Sequence, residues 1–186
     1  MNLMWLMKPN LKNGLVKSMH GKNLDYENNI QIEGVIDVGI IVIAHHTNPI
    51  QNEMVDFLMD IISGNRRILI PMTTFIGAYH ILTRYLRVSR YNAKNALLST
   101  LKLNSPYFYP RIDKSHVLDA IDLSSIFNIE SWDGYLFALA KTMQTSHIYT
   151  IDKKLQKVEG FTIIYPVSDE KLNKYHSWLE KKNRSE

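Results

Sequence analysis

The chain alternates short apolar segments with longer segments of helical periodicity, and this alternation limits the fold more than any other feature. The first predicted strand, with the segment by which the chain leaves it, covers 35–44. The other predicted strands are 67–71, 107–110, 147–151 and 161–165. Helices are predicted from Asn48-Pro49 to Gly64-Asn65, from Thr73 or Thr74 to Leu86, from Ser89 to Leu103, and over 114–127, 132–144 and 169–182. This order predicts an α/β fold of three layers, with a mostly parallel sheet and helices on both faces.

Three aspartates lie where such a sheet would deliver side chains to one crevice. Asp37 follows an apolar run, Asp152 follows the last-but-one strand, and Asp133 lies at the start of a helix. Ligands of open α/β sheets bind outside the carboxyl ends of the strands. Three carboxylates gathered there would repel one another unless a cation lay between them. The sequence therefore predicts a divalent metal and chemistry on phosphate.

Each aspartate also has a structural interpretation. In this interpretation Asp37 caps a loop or pairs with a buried arginine, Asp133 compensates the helix dipole, and Asp152 caps a turn. The joint placement favours a site, because Asp133 and Asp152 are separated by one helix and one strand. That spacing returns the chain to the same edge of the sheet. Trp132, beside Asp133, is expected in the core.

Composition narrows the class of protein and of site. The chain has 186 residues, a hydrophobic fraction of 45% and a net charge of +4, which suits one mildly basic globular domain. It has no cysteine, so disulfides and thiolate-held zinc are excluded and a metal must be held by oxygen or imidazole. No apolar run approaches the roughly 18 residues that span a bilayer. We expect a cytoplasmic protein without a membrane segment.

Three regions are predicted along the chain. Residues 1–31 are rich in Asn, Lys and Gly and are interpreted as an N-terminal extension. The predicted α/β domain covers 32–167. A C-terminal helix or tail covers 168–186.

Three segments resemble the PIN domain, the metal-dependent ribonuclease fold of many prokaryotic toxins of the VapC type. They are Val35-Ile36-Asp37-Val38-Gly39, the helix from Trp132 to Ala140, and the run from Ile148 to Leu155. The last two, at their spacing, are the more specific. The resemblance covers about 34–166.

The resemblance implies a PIN-like fold, RNA as the substrate class, and Asp37, Asp133 and Asp152 as catalytic residues and ligands of Mg²⁺ or Mn²⁺. The implied chemistry is in-line attack of water on a phosphodiester, with the metal lowering the pKa of water and shielding phosphoryl charge. It further implies a homodimer and an antitoxin or other protein partner.

Two positions depart from the family pattern. A glutamate is usual in the helix after the second strand, where this chain has Gly77, and no Asp or Glu occurs between Asp60 and Asp113. A hydroxyl or amide residue is usual two positions after the first aspartate, where this chain has Gly39. The loss of one carboxylate of four predicts weaker metal binding. Glu130 is an alternative source of a carboxylate, although a loop position favours exposure to solvent.

Several basic residues follow Gly77 in the sequence. His80, Arg84 and Arg87 have i, i+4, i+7 spacing and are predicted to share a face that binds phosphates. The alternative is a solvated helix face. Arg66, Arg67, Arg90, Lys94 and Lys102 extend the same basic set. Tyr85 and Tyr91 are expected in the core or in an interface more often than on bases.

Other functions remain as alternatives. A degenerate PIN domain that binds RNA or protein without cutting is favoured by Gly77 and Gly39 and opposed by the three aspartates. A haloacid dehalogenase-type phosphatase needs a second Asp two residues after the first, where this chain has Gly39. A glycine-rich nucleotide loop is absent, which disfavours dinucleotide and P-loop enzymes.

Overall fold

The computed structural model describes residues 31–184, and within this range five strands form one parallel sheet. The predicted N-terminal extension therefore lies outside the described residues, except for its last residue. The strands are β1 (Gly34–Ile36), β2 (Ile68–Pro71), β3 (Phe108–Tyr109), β4 (His147–Tyr149) and β5 (Thr162–Ile164).

The strand order is β3-β2-β1-β4-β5, and every neighbouring pair is parallel. Parallel strands require crossover connections, so the helices between them cover the sheet. The order reverses direction at β1, which places the carboxyl ends of β1 and β4 side by side at the point where α/β folds bind ligands. The predicted three-layer α/β class is confirmed.

Seven α-helices lie within residues 31–184. They are α1 (Val38–Ala44), α2 (Gln51–Ile62), α3 (Met72–Arg84), α4 (Arg90–Leu101), α5 (Lys114–Phe127), α6 (Ser131–Thr142) and α7 (Asp169–Arg184). A short 3-10 helix covers Lys153–Lys157. None of the helices in the described range is both long and apolar enough to cross a membrane.

The first apolar run is divided between a strand and a helix, which corrects the prediction of a continuous strand. The strand β1 ends at Ile36, and α1 begins at Val38. Five consecutive residues of α1, from Ile40 to Ala44, are buried. A helix buried all round has no polar stripe, so periodicity could not separate it from a buried strand.

The helix beginnings differ from the predicted caps in two places. Asn48 and Pro49 precede α2 instead of opening it, and the Asn48 side chain accepts a hydrogen bond from the N–H of Ile50 at 3.0 Å. The helix α3 begins directly after β2, so Thr74 lies inside its first turn and donates to the Pro71 carbonyl at 2.6 Å. The predicted cap at Ser89 is confirmed by its hydrogen bond from the N–H of Asn92.

A close helix pair fixes the start of α6. A Cβ atom at Gly134 would collide with the hydroxyl of Ser124 and the carbonyl of Ala120 on α5. Glycine at this position therefore allows the two helices to touch along their backbones. On its other side, α6 packs against β1 and β4. The contact holds the first turn of α6, which carries Asp133, against the sheet.

The C-terminal helix α7 packs on the outside of α1 and α2. The rings of Tyr175 and Trp178 contact His46, and the Lys171 ammonium lies 2.6 Å from a carboxylate oxygen of Glu53. Leu172 and Tyr175 are buried. The predicted C-terminal helix, formed as α7, is thus joined to the rest of the described fold by apolar contacts and an ion pair. The predicted limits of the domain stay predictions.

Candidate functional site

Asp37 lies at the carboxyl end of β1, in the extended residue that precedes α1. Its backbone N–H donates to the carbonyl of Tyr149 at 2.8 Å, which continues the pairing of β1 with β4. The residue is 6% exposed. It lies where the chain changes from strand to helix, at the carboxyl edge of the sheet.

Thr150 joins two of the predicted aspartates. Its Oγ1 hydroxyl donates to Oδ2 of Asp37 at 2.7 Å, and the same oxygen accepts from the N–H of Asp152 at 3.0 Å. Thr150 is completely buried. A buried hydroxyl with both hydrogen-bonding roles filled fixes its partners. Sequence analysis missed this residue, although its place one residue beyond β4 and two before Asp152 was an available signal.

Asp133 lies in the first turn of α6, as predicted, and is half-buried. Burial raises the pKa of its carboxyl group to about 7, with further contributions from the charges of Asp37, Asp152 and Glu130. The Lys154 ammonium acts in the opposite direction. The structure thus brings all three predicted aspartates close enough to perturb one another, from positions spread over more than half of the chain.

The pKa of Asp37 is also raised, mainly because the group is buried. The hydroxyl of Thr150 and the N–H groups of Val38 and Gly39 lower it, and the charge of Asp152 raises it. The two N–H groups are nearby donors without forming a full capping hydrogen bond to the side chain. The site therefore combines a buried acid with donors that favour its ionised form.

The carboxylate oxygens of the three aspartates suit a hard divalent cation, and they leave part of its coordination sphere open. Carboxylate oxygens are the ligands preferred by Mg²⁺ and Mn²⁺. Within residues 31–184, no group of three or more His, Asp and Glu side chains is arranged to hold a metal ion by itself. Mg²⁺ commonly uses one or two carboxylates and completes its coordination with waters and substrate phosphates. The three acids fit this partial coordination by the protein and do not surround a cation completely.

Gly77, where the resemblance to the PIN domain predicts a glutamate, lies against the residue that follows Asp37. A Cβ atom at Gly77 of α3 would be 3.1 Å from Cγ2 of Val38, the residue after Asp37. Glu130 is exposed at the N-cap position of α6, and its charge acts on Asp133. Glu130 adds negative charge from outside, so it does not replace a carboxylate on α3.

The predicted basic face is only partly formed. His80 and Arg84 are exposed on α3. Arg87 lies beyond the end of that helix and has a φ of 53°, so it does not continue the helical face as the i, i+7 spacing predicted. Arg66 and Arg67 precede β2 at the opposite edge of the sheet.

These two arginines have structural partners. Both arginines lie within 3.7 Å of the Glu33 carboxylate. Arg66 also donates to the Tyr149 hydroxyl at 2.9 Å and lies over the Phe57 ring. The parallel sheet places the start of β2 away from its carboxyl edge, so this pair is removed from the acidic site.

Three aromatic side chains are exposed, and of these only Trp132 was expected in the core alone. Trp132 is 60% exposed, Tyr85 is 66% exposed and Tyr91 is 71% exposed. Trp132 precedes the half-buried Asp133 on α6, on the side of the helix that faces solvent. The expected placement of Trp132 in the core is wrong, and the rings of Tyr85 and Tyr91 are available for contacts outside the described residues.

Comparisons with known proteins concern the fold. No family model matches the chain, and no curated protein matches it. The chain is similar to PAE2754 from Pyrobaculum aerophilum, with 12% identity and a TM-score of 0.51 over 83% of this chain and 99% of that one. It is also similar to a chain described as a toxin-antitoxin complex from Klebsiella pneumoniae, with 15% identity and a TM-score of 0.49 over 73% of this chain and 99% of that one. The likeness to PAE2754 agrees with the α/β architecture and extends no further than the fold.

Proposed function

We propose that this protein is a divalent-metal-dependent endoribonuclease of the PIN-domain type. One observation carries the proposal: Asp133 lies close to Asp37 and Asp152 at the carboxyl edge of a parallel sheet, where burial first, and then the charges of these two acids, raise its pKa to about 7. Carboxylates that disfavour one another's ionisation mark functional sites more often than structural ones. RNA as the substrate class comes from the sequence resemblance.

The residues have separable roles in this proposal. Asp37, Asp133 and Asp152 would hold the cation, and the Thr150 hydroxyl, at 2.7 Å from Asp37, would keep that acid in place. A cation between the acids would offset the repulsion from Asp37 and Asp152, which contributes to the raised pKa of Asp133. When bound, Mg²⁺ or Mn²⁺ would lower the pKa of water and shield charge on the phosphoryl oxygens.

The backbone around the site restrains the same acids. The N–H of Lys154 donates to Oδ1 of Asp152 at 2.8 Å, and the hydroxyl of Thr150 accepts from the N–H of Asp152. Both contacts fix the turn that carries Asp152 and limit the directions in which its carboxylate can point. An acid held in this way costs little reorganisation when a phosphate and a cation arrive.

The test is cleavage of a mixed pool of single-stranded and structured RNA in Mn²⁺, together with Mn²⁺ titration by calorimetry. We compare the wild type with Asp37→Asn and Asp133→Asn, and with Asp122→Asn as a control, because Asp122 is an exposed acid on α5. We expect cleavage and Mn²⁺ binding by the wild type and the control and loss of both in the site variants. Equal cleavage by all four proteins would refute the assignment of the site.

A second function, RNA binding without cleavage, is favoured by a specific observation. No carboxylate occurs on α3 near Val38, and no complete three-ligand cage exists within residues 31–184. In that case the wild type would bind RNA and cleave none, and Asp133→Asn would bind RNA at least as well because a negative charge is removed. The proposed protein partner, whether an antitoxin or a second copy of the chain, follows only from the resemblance.

A further inference from the structure

A partly open cavity of about 390 Å³ lies beside the segments that carry Asp37 and Asp152. Its walls come from α1, α3, α7 and the segment after β4. The lining residues are Gly39, Val42, Ile81, Tyr85, Leu86, Ile151, Tyr175 and Leu179. This volume falls in the range of small-ligand pockets, which are commonly about 300–1,000 Å³.

Two lining residues belong to both the cavity and the acidic site. Ile151 lies between Thr150 and Asp152 in the chain, and Gly39 lies two residues after Asp37. A Cβ atom at Gly39 would be 3.3 Å from Oδ2 of Asp37 and 2.9 Å from Cγ1 of Ile151. Glycine at this position therefore allows α1 to pack closely against both Ile151 and Asp37. One wall of the cavity thus lies directly against the residue that carries the first acid.

The walls are apolar, and an aromatic ring stands at the opening. Val42, Leu86 and Tyr175 are buried, and Tyr85 is 66% exposed at the end of α3. An exposed aromatic ring beside an apolar cavity suits a flat, uncharged ring system, because the ring stacks on it without hydrogen-bond specificity.

The charges around the opening are positive. Arg84 and Arg87 flank Tyr85 and Leu86 in the chain and are exposed, and the Lys182 ammonium lies 3.4 Å from the carbonyl of Leu86. Positive charge beside an apolar cavity, with acids suited to a cation nearby, is complementary to a polymer that carries phosphates and bases together.

We infer that this cavity takes a nucleobase of single-stranded RNA next to the phosphate that lies at the acids. The inference rests on the proposed function, because the acids set the position of that phosphate. An unstacked base would enter between α3 and α7, with the ring of Tyr85 on one side and the apolar wall of α7 on the other. The C-terminal helix thereby becomes part of the substrate site.

The first experiment uses the unaltered full-length protein. A short fluorescein-labelled single-stranded RNA is bound in EDTA, which prevents metal-dependent cleavage, and binding is measured by anisotropy. The same RNA is then tested with one abasic position at a time. We expect one position whose abasic form binds on the order of tenfold more weakly, as loss of one stacked base predicts. Equal binding by every abasic RNA would overturn the inference.

The second experiment fills the cavity. Ile81→Trp adds bulk from a lining residue, and Ile76→Trp is its matched control, because Ile76 lies on the same helix and is 71% exposed away from the cavity. We expect intact RNA to bind Ile81→Trp about tenfold more weakly, with no further loss at the sensitive abasic position. Equal affinity of the two variants for intact RNA would count against the base subsite.

Failure of the inference and failure of the proposed function give different results. If RNA is bound and is cleaved in Mn²⁺ but no abasic position weakens binding, the proposed nuclease function stands and the base subsite is refuted. The cavity would then suit an apolar group of a protein partner. RNA that is neither bound nor cleaved by the wild type removes both. A sensitive position that disappears in Ile81→Trp and persists in Ile76→Trp supports the inference.

Discussion

The Oγ1 hydroxyl of Thr150 donates a 2.7 Å hydrogen bond to Oδ2 of Asp37, across 113 residues of sequence. The same oxygen accepts from the N–H of Asp152. A single completely buried hydroxyl therefore connects the acid that follows β1 with the acid that follows β4. Both strands are neighbours in the sheet, so the contact follows from their parallel pairing.

Removal of this hydroxyl is expected to weaken the fold and the site together. Thr150→Ala leaves a buried carboxylate and a backbone N–H without their partner, and hydrogen bonds to charged groups contribute about 1.5–3 kcal/mol. We expect the free energy of urea unfolding to fall by about 2 kcal/mol at neutral pH. Thr150→Ser keeps the hydroxyl and should recover most of the loss. Equal destabilisation by both variants would assign the effect to the lost methyl group instead.

The raised pKa of Asp133 predicts how stability changes with pH in the absence of divalent cations. Its folded pKa of about 7 lies above the ordinary value of 3.8, so the folded state binds the proton more tightly than the unfolded state. The favourable contribution is present at low pH and is lost as the pH rises from about 4 to about 7. Partial exposure of the group limits the loss to about 1–3 kcal/mol, below the full value of about 1.4 kcal/mol per pKa unit.

The measurement compares urea unfolding of the wild type and Asp133→Asn across this pH range in EDTA. We expect Asp133→Asn to become more stable relative to the wild type as the pH rises, because the amide does not ionise. Added Mn²⁺ should stabilise the wild type above about pH 6 and leave Asp133→Asn little changed. A constant difference between the two proteins at every pH would contradict the assignment of the raised pKa.

A carboxylate introduced at Gly77 is expected to strengthen metal binding. The new Cβ would lie 3.1 Å from Cγ2 of Val38, so that side chain must move by a few tenths of an ångström. We expect Gly77→Glu to bind Mn²⁺ on the order of tenfold more tightly, as an added charged ligand near the other acids predicts. Gly77→Gln tests the effect of size without charge. If calorimetry gives the same Mn²⁺ affinity for both variants, position 77 does not face the cation.

Arg84 is exposed at the end of α3 and Arg87 is exposed beyond it, and both are expected to contribute phosphate contacts. We expect the double variant Arg84→Gln with Arg87→Gln to bind single-stranded RNA more weakly and to reduce the salt slope by about 1.4, which corresponds to two contacts. The control is Arg67→Gln, since Arg67 pairs with Glu33 at the other edge of the sheet. An equal change of slope in the control would show a general effect of net charge instead of a local track.

Local sequence signals located most of the elements. The helix predicted at 114–127 has these bounds, and the N-cap at Ser89 is formed by the hydrogen bond expected of it. Such features depend on neighbours within a few residues, which the sequence displays directly. The aspartates were located by the same kind of signal, because each stands at the border of an apolar segment.

Errors arose where tertiary packing overrides the local pattern. The run after Asp37 has strand-like composition and forms the buried helix α1, because the interior removes the polar stripe that would reveal helical periodicity. Arg87 departs from the helical face because the chain passes through a left-handed residue there. Trp132 is exposed although its type favours burial, since α6 directs its buried face to α5 and the sheet.

The sequence by itself determined the α/β class, the order of elements and the three acids. These features depend on hydrophobic periodicity and on the residues that begin and end helices and strands, both of which act over short distances. Only the tertiary structure decided that Thr150 links Asp37 to Asp152, that Gly39 packs against Asp37 in the wall of a cavity, and that α7 forms another wall of it. These relationships join residues far apart in the chain. They exist only after the parallel strands have aligned and α7 has packed on α1, so no local pattern encodes them.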